Sequence, residues 1–275
     1  MNGIKTTFLL VLLTAILVGI GYLIGGVAGM AVFVILAGVM NFAAFWFSDK
    51  FALRMAGAHE VTAEQEPQLH AMVNEVANLA GMPMPKVYVI QNDAPNAFAT
   101  GRSPNKAVVA ITTGIRRILN ERELRAVIGH EMGHVKNRDT LTSSIVATIA
   151  GAISMISFML LFFGGRRNLL LGLLIAILAP IAASVIQFAI SRTREFAADQ
   201  TGAEITHDPE SLASALEKLH QGVASRPMEA TPQQEAVSAL YIVHPFRGGG
   251  MSKWFSTHPP LEERVGRLRR MAYGR

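Results

Sequence analysis

Three long stretches without a single charged residue constrain what this chain can fold into. They lie between Lys5 and Asp49, between Asp139 and Arg166, and between Arg167 and Arg192. A helix needs about 20 apolar residues to cross the hydrocarbon core of a bilayer, so the second and third stretches each predict one span. The first is long enough for two spans and has a weak centre at "GIGYLIGG". We therefore predict four transmembrane helices, near 7–24, 28–47, 142–163 and 169–190.

The distribution of basic residues predicts the orientation of these spans, because Lys and Arg collect on the cytoplasmic side. The turn after the first span has none, and the turn after the third has Arg166 and Arg167. All the others lie at Lys5, in the 49–141 segment and in the 191–275 tail, which an even number of spans places on one side. We expect that side, with both termini, to be the cytoplasm. We expect the first span to be a retained anchor rather than a signal peptide, because it continues into a second span.

Composition narrows the chemistry and the partners. The chain has no cysteine, so disulfides and thiolate metal ligands are excluded, and any metal must be bound by nitrogen and oxygen. A formal net charge of +5 suits the surface of an anionic lipid bilayer. The basic residues are scattered and lack interleaved aromatic residues, so we expect no nucleic-acid partner.

The polar segments predict a mainly α domain of the α+β class. Two β-like runs, "KVYVI" and "AVVAIT", flank "NAFAT", and helical patterns surround them. One helix, "NERELRAVIGHEMGHVKNRD", has a capping box at Asn120 and Glu123 and is expected to continue into the third span. We predict an N-terminal transmembrane hairpin over 1–48 and a second domain over 49–275, interrupted by a transmembrane hairpin at about 141–191.

"HEMGH" carries the strongest chemical signal. His130 and His134 are four residues apart, so both rings lie on one face of a helix, where they can bind one zinc ion. Glu131 would then lie beside the metal, where it can take a proton from water. Two surface histidines on an ordinary helix are the plainer alternative. The helical context and the flanking Val127 and Val135 favour the metal site.

A catalytic zinc usually has three protein ligands, and "REFAAD" offers the third. A histidine six residues after His134 would be another option, but that position is Thr140. Glu195 is the candidate ligand, and Asp199, four residues later, can accept a hydrogen bond from a ligand histidine. Alternatively, the two acids simply pair with the neighbouring Arg192 and Arg194.

Two other functions have to be weighed. Glu-x-x-His pairs also mark di-iron bundles, and the chain has three such pairs: Glu131 with His134, Glu204 with His207, and Glu217 with His220. A di-iron site would leave His130 unused, so we do not favour it. A membrane scaffold or chaperone that binds unfolded segments without cutting them would not need a complete set of zinc ligands and a base.

"HEMGH" and "REFAAD" on either side of a membrane hairpin resemble the HtpX-type membrane zinc metalloproteases, a family that also contains the CAAX prenyl endopeptidase. The resemblance covers nearly the whole chain. It implies a gluzincin-like, zincin-type endopeptidase domain on the cytoplasmic side of the bacterial inner membrane, with one Zn²⁺ per chain, acting on misfolded membrane proteins in quality control and stress response.

The same resemblance implies a role for each site residue. The zinc ligands are His130, His134 and Glu195, and the general base is Glu131. The family's His-Pro and following Arg correspond to His258, Pro259 and Arg264. Its substrate-binding edge strand corresponds to Asn96, Ala97, Phe98 and Ala99. From the residues alone, His258 is a loop histidine and Arg264 a charge on a helix surface, whose role the sequence leaves open.

Overall fold

The computed structural model describes residues 2–149, 192–246 and 259–274. The end of the third predicted span, all of the fourth and His258 lie outside the described residues. The described part is mainly helical with one small sheet. This agrees with the mainly α, α+β class that was predicted for the polar segments.

The N-terminal region is one long helix, α1 (Asn2–Ala56), interrupted at Gly25 and Gly26. The interruption falls within "GIGYLIGG", where the turn of a hairpin was predicted, and Gly26 has the positive φ of 58° that favours glycine. Beyond the break, Asn41 donates to Thr14 Oγ1 at 2.7 Å, so the two halves run back along each other. Within the described residues, Gly25–Ala56 is the one helix long and apolar enough to cross a membrane.

A four-stranded sheet follows the hairpin. Its strands are β1 (Ala58–Glu60), β2 (Lys86–Ile90), β3 (Ala97–Thr100) and β4 (Val108–Thr112), in the order β1-β2-β4-β3. The central β2 and β4 are parallel, and β3 runs antiparallel to β4. The stretch predicted from "NAFAT" is therefore an edge strand of the sheet.

The helices pack on the sheet and on one another. They are α2 (Pro67–Ala80), α3 (Ile115–Ile118), α4 (Glu121–Lys136), α5 (described over Thr140–Ile149), α6 (Arg192–Thr206), α7 (Pro209–Ser225), α8 (Pro232–Val237) and α9 (Leu261–Tyr273). The main core lies between α2, α4, α7, α9 and one face of the sheet, and it includes Val73, Ile111, Val127 and Leu216.

Helix α4 begins as predicted but ends earlier. The Asn120 side chain accepts from the backbone N–H of Glu123, and the Glu123 carboxylate accepts from the backbone N–H of Asn120. We expected this helix to continue into the third span, and that expectation is wrong. It stops at Lys136, and Arg138 adopts a positive φ of 57°, which turns the chain before α5 begins at Thr140. The turn therefore ends α4 before the predicted span begins.

Helices α4 and α6 contact each other through glycines. A Cβ added to Gly202 would lie 2.6 Å from the backbone nitrogen of His130, and one added to Gly133 would lie 2.8 Å from the carbonyl oxygen of Ala198. Real side chains essentially never come that close to backbone atoms. The two helix backbones are therefore closer than any residue with a side chain would allow at these positions.

This contact generates a first prediction. Replacing glycine by alanine inside a helix normally stabilises it by about 0.5–1 kcal/mol. We expect Gly202→Ala to do the opposite, because the new methyl group meets the backbone of α4 and must push α6 away. Thermal unfolding in detergent should show a lower midpoint, and titration with Zn²⁺ should show weaker binding.

The control is Gly266→Ala on α9, where an added Cβ would meet only the end of the Arg270 side chain, at 3.6 Å. It should leave Zn²⁺ binding unchanged and the midpoint equal or higher. Equal behaviour of the two variants would contradict the importance of the α4–α6 contact.

Candidate metal centre

The two histidines of "HEMGH" project from the face of α4 that is turned toward α6. Their ring centroids are 4.8 Å apart and the ring planes are nearly perpendicular, at 88°. His130 is completely buried, and His134 keeps 18% of its side chain exposed. One ring is therefore fixed by packing, while the other lines an accessible cleft.

Glu195 reaches the histidines from α6. Its Oε1 lies 3.5 Å from His134 Nε2, and its Oε2 lies 3.9 Å from His130 Nε2. One ligand atom from each of these three residues lies within 4.8 Å of the others, and no other group of three potential metal ligands lies so close together among the described residues. Two segments separated by about 60 residues thus converge on one point.

The buried donor atoms fit a metal ion. His130 Nε2 is buried and has no hydrogen-bond partner within the described residues. Burial lowers the pKa of His130 to about 4, which keeps the imidazole neutral, the form in which histidine binds metals. Ligand atoms about 2 Å from a tetrahedral ion lie a little over 3 Å apart, so small shifts would bring these three to bonding distance.

A second layer of acids and one arginine supports the histidines. Asp199 Oδ1 lies 2.9 Å from His130 Nδ1, and Asp139 Oδ2 lies 3.5 Å from His134 Nδ1. Such contacts to the second ring nitrogen orient a ligand histidine. Asp199 was expected to do this from its sequence position. Asp139 was not singled out, although a carboxylate five residues after His134, just past the end of the helix, was a possible signal.

Arg264 connects this layer to the C-terminal helix. It donates to both carboxylate oxygens of Asp199, at 2.8 and 2.7 Å, and to the carbonyl oxygen of Ile242 at 3.0 Å. Burial alone would raise the pKa of Asp199, but the guanidinium of Arg264 outweighs it and lowers that pKa to about 2. The sequence left open whether Arg264 pairs with an acid, and the structure shows that it does.

Glu131 lies one residue along from His130, with 1% of its surface exposed. Its Oε1 has no hydrogen-bond partner among the described residues. Burial raises its pKa to about 7, although the nearby His134 and the backbone amide of Ala99 act in the opposite direction. A carboxyl group with such a pKa can both accept and release a proton near neutral pH.

The edge strand β3 borders the cluster, but part of its free edge is already used. The backbone N–H of Ile242 donates to the carbonyl oxygen of Ala97 at 3.0 Å. The Asn96 side chain donates to the Val243 carbonyl at 2.8 Å. Phe98 is fully buried and packs edge-on against Tyr241. Of the four residues expected to bind substrate, the structure thus gives Asn96, Ala97 and Phe98 contacts within the protein.

The alternative pairings considered from sequence are not formed in the part of the chain that the structure describes. Glu217 pairs with Arg269 at 2.9 Å, and Glu204 accepts from Gln200. Neither therefore joins Glu131 and His134 in a di-iron cluster. Asp199 pairs with Arg264 instead of Arg192 or Arg194.

Comparison with known proteins agrees with this geometry. Residues 63–272 match the model of peptidase family M48. The chain belongs to that family. It is 51% identical over 277 residues to a protein named "Protease HtpX homolog" from Burkholderia lata, covering 98% of this chain and 97% of that one. A homologue with the same name from Burkholderia ambifaria is 50% identical with the same coverage. This M48 peptidase is therefore a metalloprotease of HtpX type.

A solved structure of a protein with much lower sequence identity has a similar fold. The crystal structure of S. mikatae Ste24p superposes with a TM-score of 0.50 at 16% identity, over 97% of this chain and 62% of that one. The present chain thus spans less than two thirds of that relative. At this identity the likeness concerns the fold alone.

The second layer generates a prediction for metal binding. Asp199→Asn keeps the shape of the side chain but removes the charge that faces His130 and Arg264. Loss of such a partner typically weakens metal binding about 10–100-fold, and we expect a loss in this range for Zn²⁺, measured by competition with a chelator. Asp208→Asn is the control, because Asp208 caps α7 and pairs with Arg122. It should lower stability without changing the affinity for Zn²⁺, and equal affinities in all three proteins would contradict the role of Asp199.

Proposed function

We propose that the chain is a zinc-dependent membrane endopeptidase that hydrolyses peptide bonds in misfolded or damaged membrane proteins. The convergence of His130, His134 and Glu195, with the Glu131 carboxyl beside them, carries this proposal. Two imidazoles and one carboxylate form the ligand set of a catalytic zinc site, in which a fourth position stays open. A structural zinc site would use four protein ligands.

Each residue has a distinct task in the proposed reaction. A bound Zn²⁺ supplies Lewis-acid chemistry, since it acidifies water and polarises a carbonyl group. Glu131 takes a proton from the attacking water at its unpartnered Oε1 and later gives it to the leaving amine. Asp199 and Asp139 hold the rings of His130 and His134 in place. We assign His258 to donate a hydrogen bond to the oxyanion of the tetrahedral intermediate.

The proposed substrate is an unfolded chain, because an edge strand of the sheet borders the site. In the antiparallel pairing of β3 with β4, the backbone groups of Ala97 and Ala99 point away from β4. A peptide can add to such an edge by main-chain hydrogen bonds, which tolerate many sequences. With the carbonyl of Ala97 taken by Ile242 and the N–H of Ala99 directed at Glu131, pairing would centre on the carbonyl oxygen of Ala99.

We further propose that the site lies at the cytoplasmic membrane surface, in a chain with four spans. Asp139, the residue before the described part of α5, contacts His134 Nδ1 at 3.5 Å across the turn at Arg138, so α5 begins beside the site. The end of β3 is also tied to α5, since Thr140 donates to the Gly101 carbonyl at 2.8 Å and Thr100 bonds to Ser144 at 2.6 Å. A site this close to the membrane surface would be accessible to unfolded loops of membrane proteins where they leave the bilayer.

Substitutions should separate chemistry from metal binding. Glu131→Gln should abolish cleavage of an unfolded substrate and keep the metal, because Glu131 does not coordinate. His258→Ala should lower turnover by about 10²–10³ with normal zinc content, as loss of one oxyanion donor typically does. His134→Ala and Glu195→Ala should lose both the cleavage activity and the bound zinc. Metal content by mass spectrometry and digestion with and without a chelator are the measurements. An empty site in Glu131→Gln, or chelator-resistant cleavage, would contradict the assignment.

The absence of cysteine makes the topology directly testable. Single reporters can be placed at Val27, next to the hairpin turn, and at Lys106, in an exposed turn of the soluble region. We expect a membrane-impermeant maleimide to label Val27→Cys in spheroplasts and Lys106→Cys in inside-out vesicles, because the two positions lie on opposite sides of the first two spans. The cysteine-free parent reports the background. Labelling of Lys106→Cys in intact spheroplasts would show that the orientation is the opposite of the one proposed.

A further inference from the structure

Arg194, on the first turn of α6, carries a buried guanidinium nitrogen that the proposed chemistry does not use. Its Nη1 is inaccessible to solvent and has no hydrogen-bond partner among the described residues. Within the same residues no carboxylate lies in ion-pair distance, although Asp139 and Glu195 are close enough to act on its charge. A buried donor without an acceptor is costly, and a bound substrate that supplies an acceptor would remove this cost.

Arg194 lines a small cavity beside the three potential metal ligands. The cavity has a volume of about 20 Å³. Its other lining residues come from the cluster, the edge strand, α5 and the segment after α8: His134, Glu195, Ala99, Thr140, Ser143, Ala239 and Leu240. This volume admits a single water-sized group. A carbonyl oxygen fits such a space.

The course of a bound peptide brings its backbone to this cavity. The segment from Leu240 to Val243 covers β3 at Asn96 and Ala97, through the hydrogen bonds of Ile242 and Val243. The outward-facing backbone of Ala99 is the next position along the edge. Because Ala99 itself lines the cavity, a strand that pairs there passes directly over the opening.

We propose that Arg194 is a substrate-binding residue whose Nη1 donates a hydrogen bond to a main-chain carbonyl oxygen of the peptide bound along β3. The proposal rests on the proteolytic function above and adds one residue to it. A main-chain acceptor suits an enzyme that binds unfolded chains through their backbone, because every residue of a substrate has a carbonyl group. The charge of the donor makes this bond stronger than one between neutral groups.

The test measures binding apart from catalysis. In a zinc-loaded Glu131→Gln background, which should not cleave, the dissociation constant of a fluorescent unfolded peptide is measured by anisotropy. Adding Arg194→Gln should raise that constant about tenfold or more, because a hydrogen bond to a charged group is lost. Arg226→Gln, the same change at an exposed arginine that ends α7, should leave it unchanged. Failure of the parent enzyme to cleave any unfolded protein would refute the proposed function in a separate measurement.

A backbone scan identifies the acceptor. Each carbonyl oxygen of the peptide is replaced in turn by sulfur, which is a weaker acceptor. One position should weaken binding to the Arg194 protein but have no effect on Arg194→Gln, which is the signature of a direct contact in a double-mutant cycle. A C-terminally amidated peptide should bind as well as the free acid. Dependence on the free carboxylate would mean that Arg194 binds a chain terminus, and the carbonyl proposal would be wrong.

Arg194→Lys tests whether Arg194 acts only through its charge on the metal site. It keeps the positive charge near Asp139 and Glu195 but moves the hydrogen-bond donor. We expect normal zinc content and thermal stability in this variant, with weakened peptide binding. Wild-type binding by both Arg194 variants, or no thioamide position coupled to Arg194, would overturn the proposal. Loss of zinc from both would also overturn it, because Arg194 would then support the metal site rather than the substrate.

Discussion

The close contact between α4 and α6 is the constraint on which the candidate metal site depends. Gly133 and Gly202 let the helix backbones approach so closely that even a methyl group would not fit between them. The contact sets the distance from Glu195 to His130 and His134, since these three side chains project into the same interface. Metal–ligand bonds tolerate errors of only about 0.2 Å, so a site shared by two segments needs a rigid contact of this kind. The chain between the two helices is the one in which the second membrane hairpin is predicted.

The buried Asp199–Arg264 pair extends this constraint to the C-terminal helix. Burying two charges is costly unless they are paired with good geometry and fully hydrogen-bonded. Here the guanidinium contacts both oxygens of Asp199 and the carbonyl of Ile242, and Asp199 also faces His130. The pair therefore joins α9 and the segment beside β3 to the ring of one histidine. Through these contacts the arrangement of the β3 edge and that of the metal ligands depend on each other.

Sequence reasoning succeeded where short-range geometry decides. The capping box at Asn120, the hairpin break at Gly25 and Gly26, and the common face of His130 and His134 all depend on residues within a few positions of each other. It failed at the end of α4, which was expected to run into the third span. Nothing in the local pattern excludes helix at Arg138, and the turn there accompanies the contact of Asp139 with His134.

The sequence by itself determined the charge-free segments, the metal-binding pair with its adjacent base, and the acid that completes the cluster. Each of these features depends on residue type and spacing, because residue type sets the hydropathy of a segment and spacing sets which residues share a helix face. Only the tertiary structure decided that Asp199 pairs with Arg264, that Ile242 covers half of the β3 edge, and that Arg194 lines the cavity beside Ala99. These contacts join residues far apart in the chain, and their partners are set by how whole elements pack, which no local pattern records.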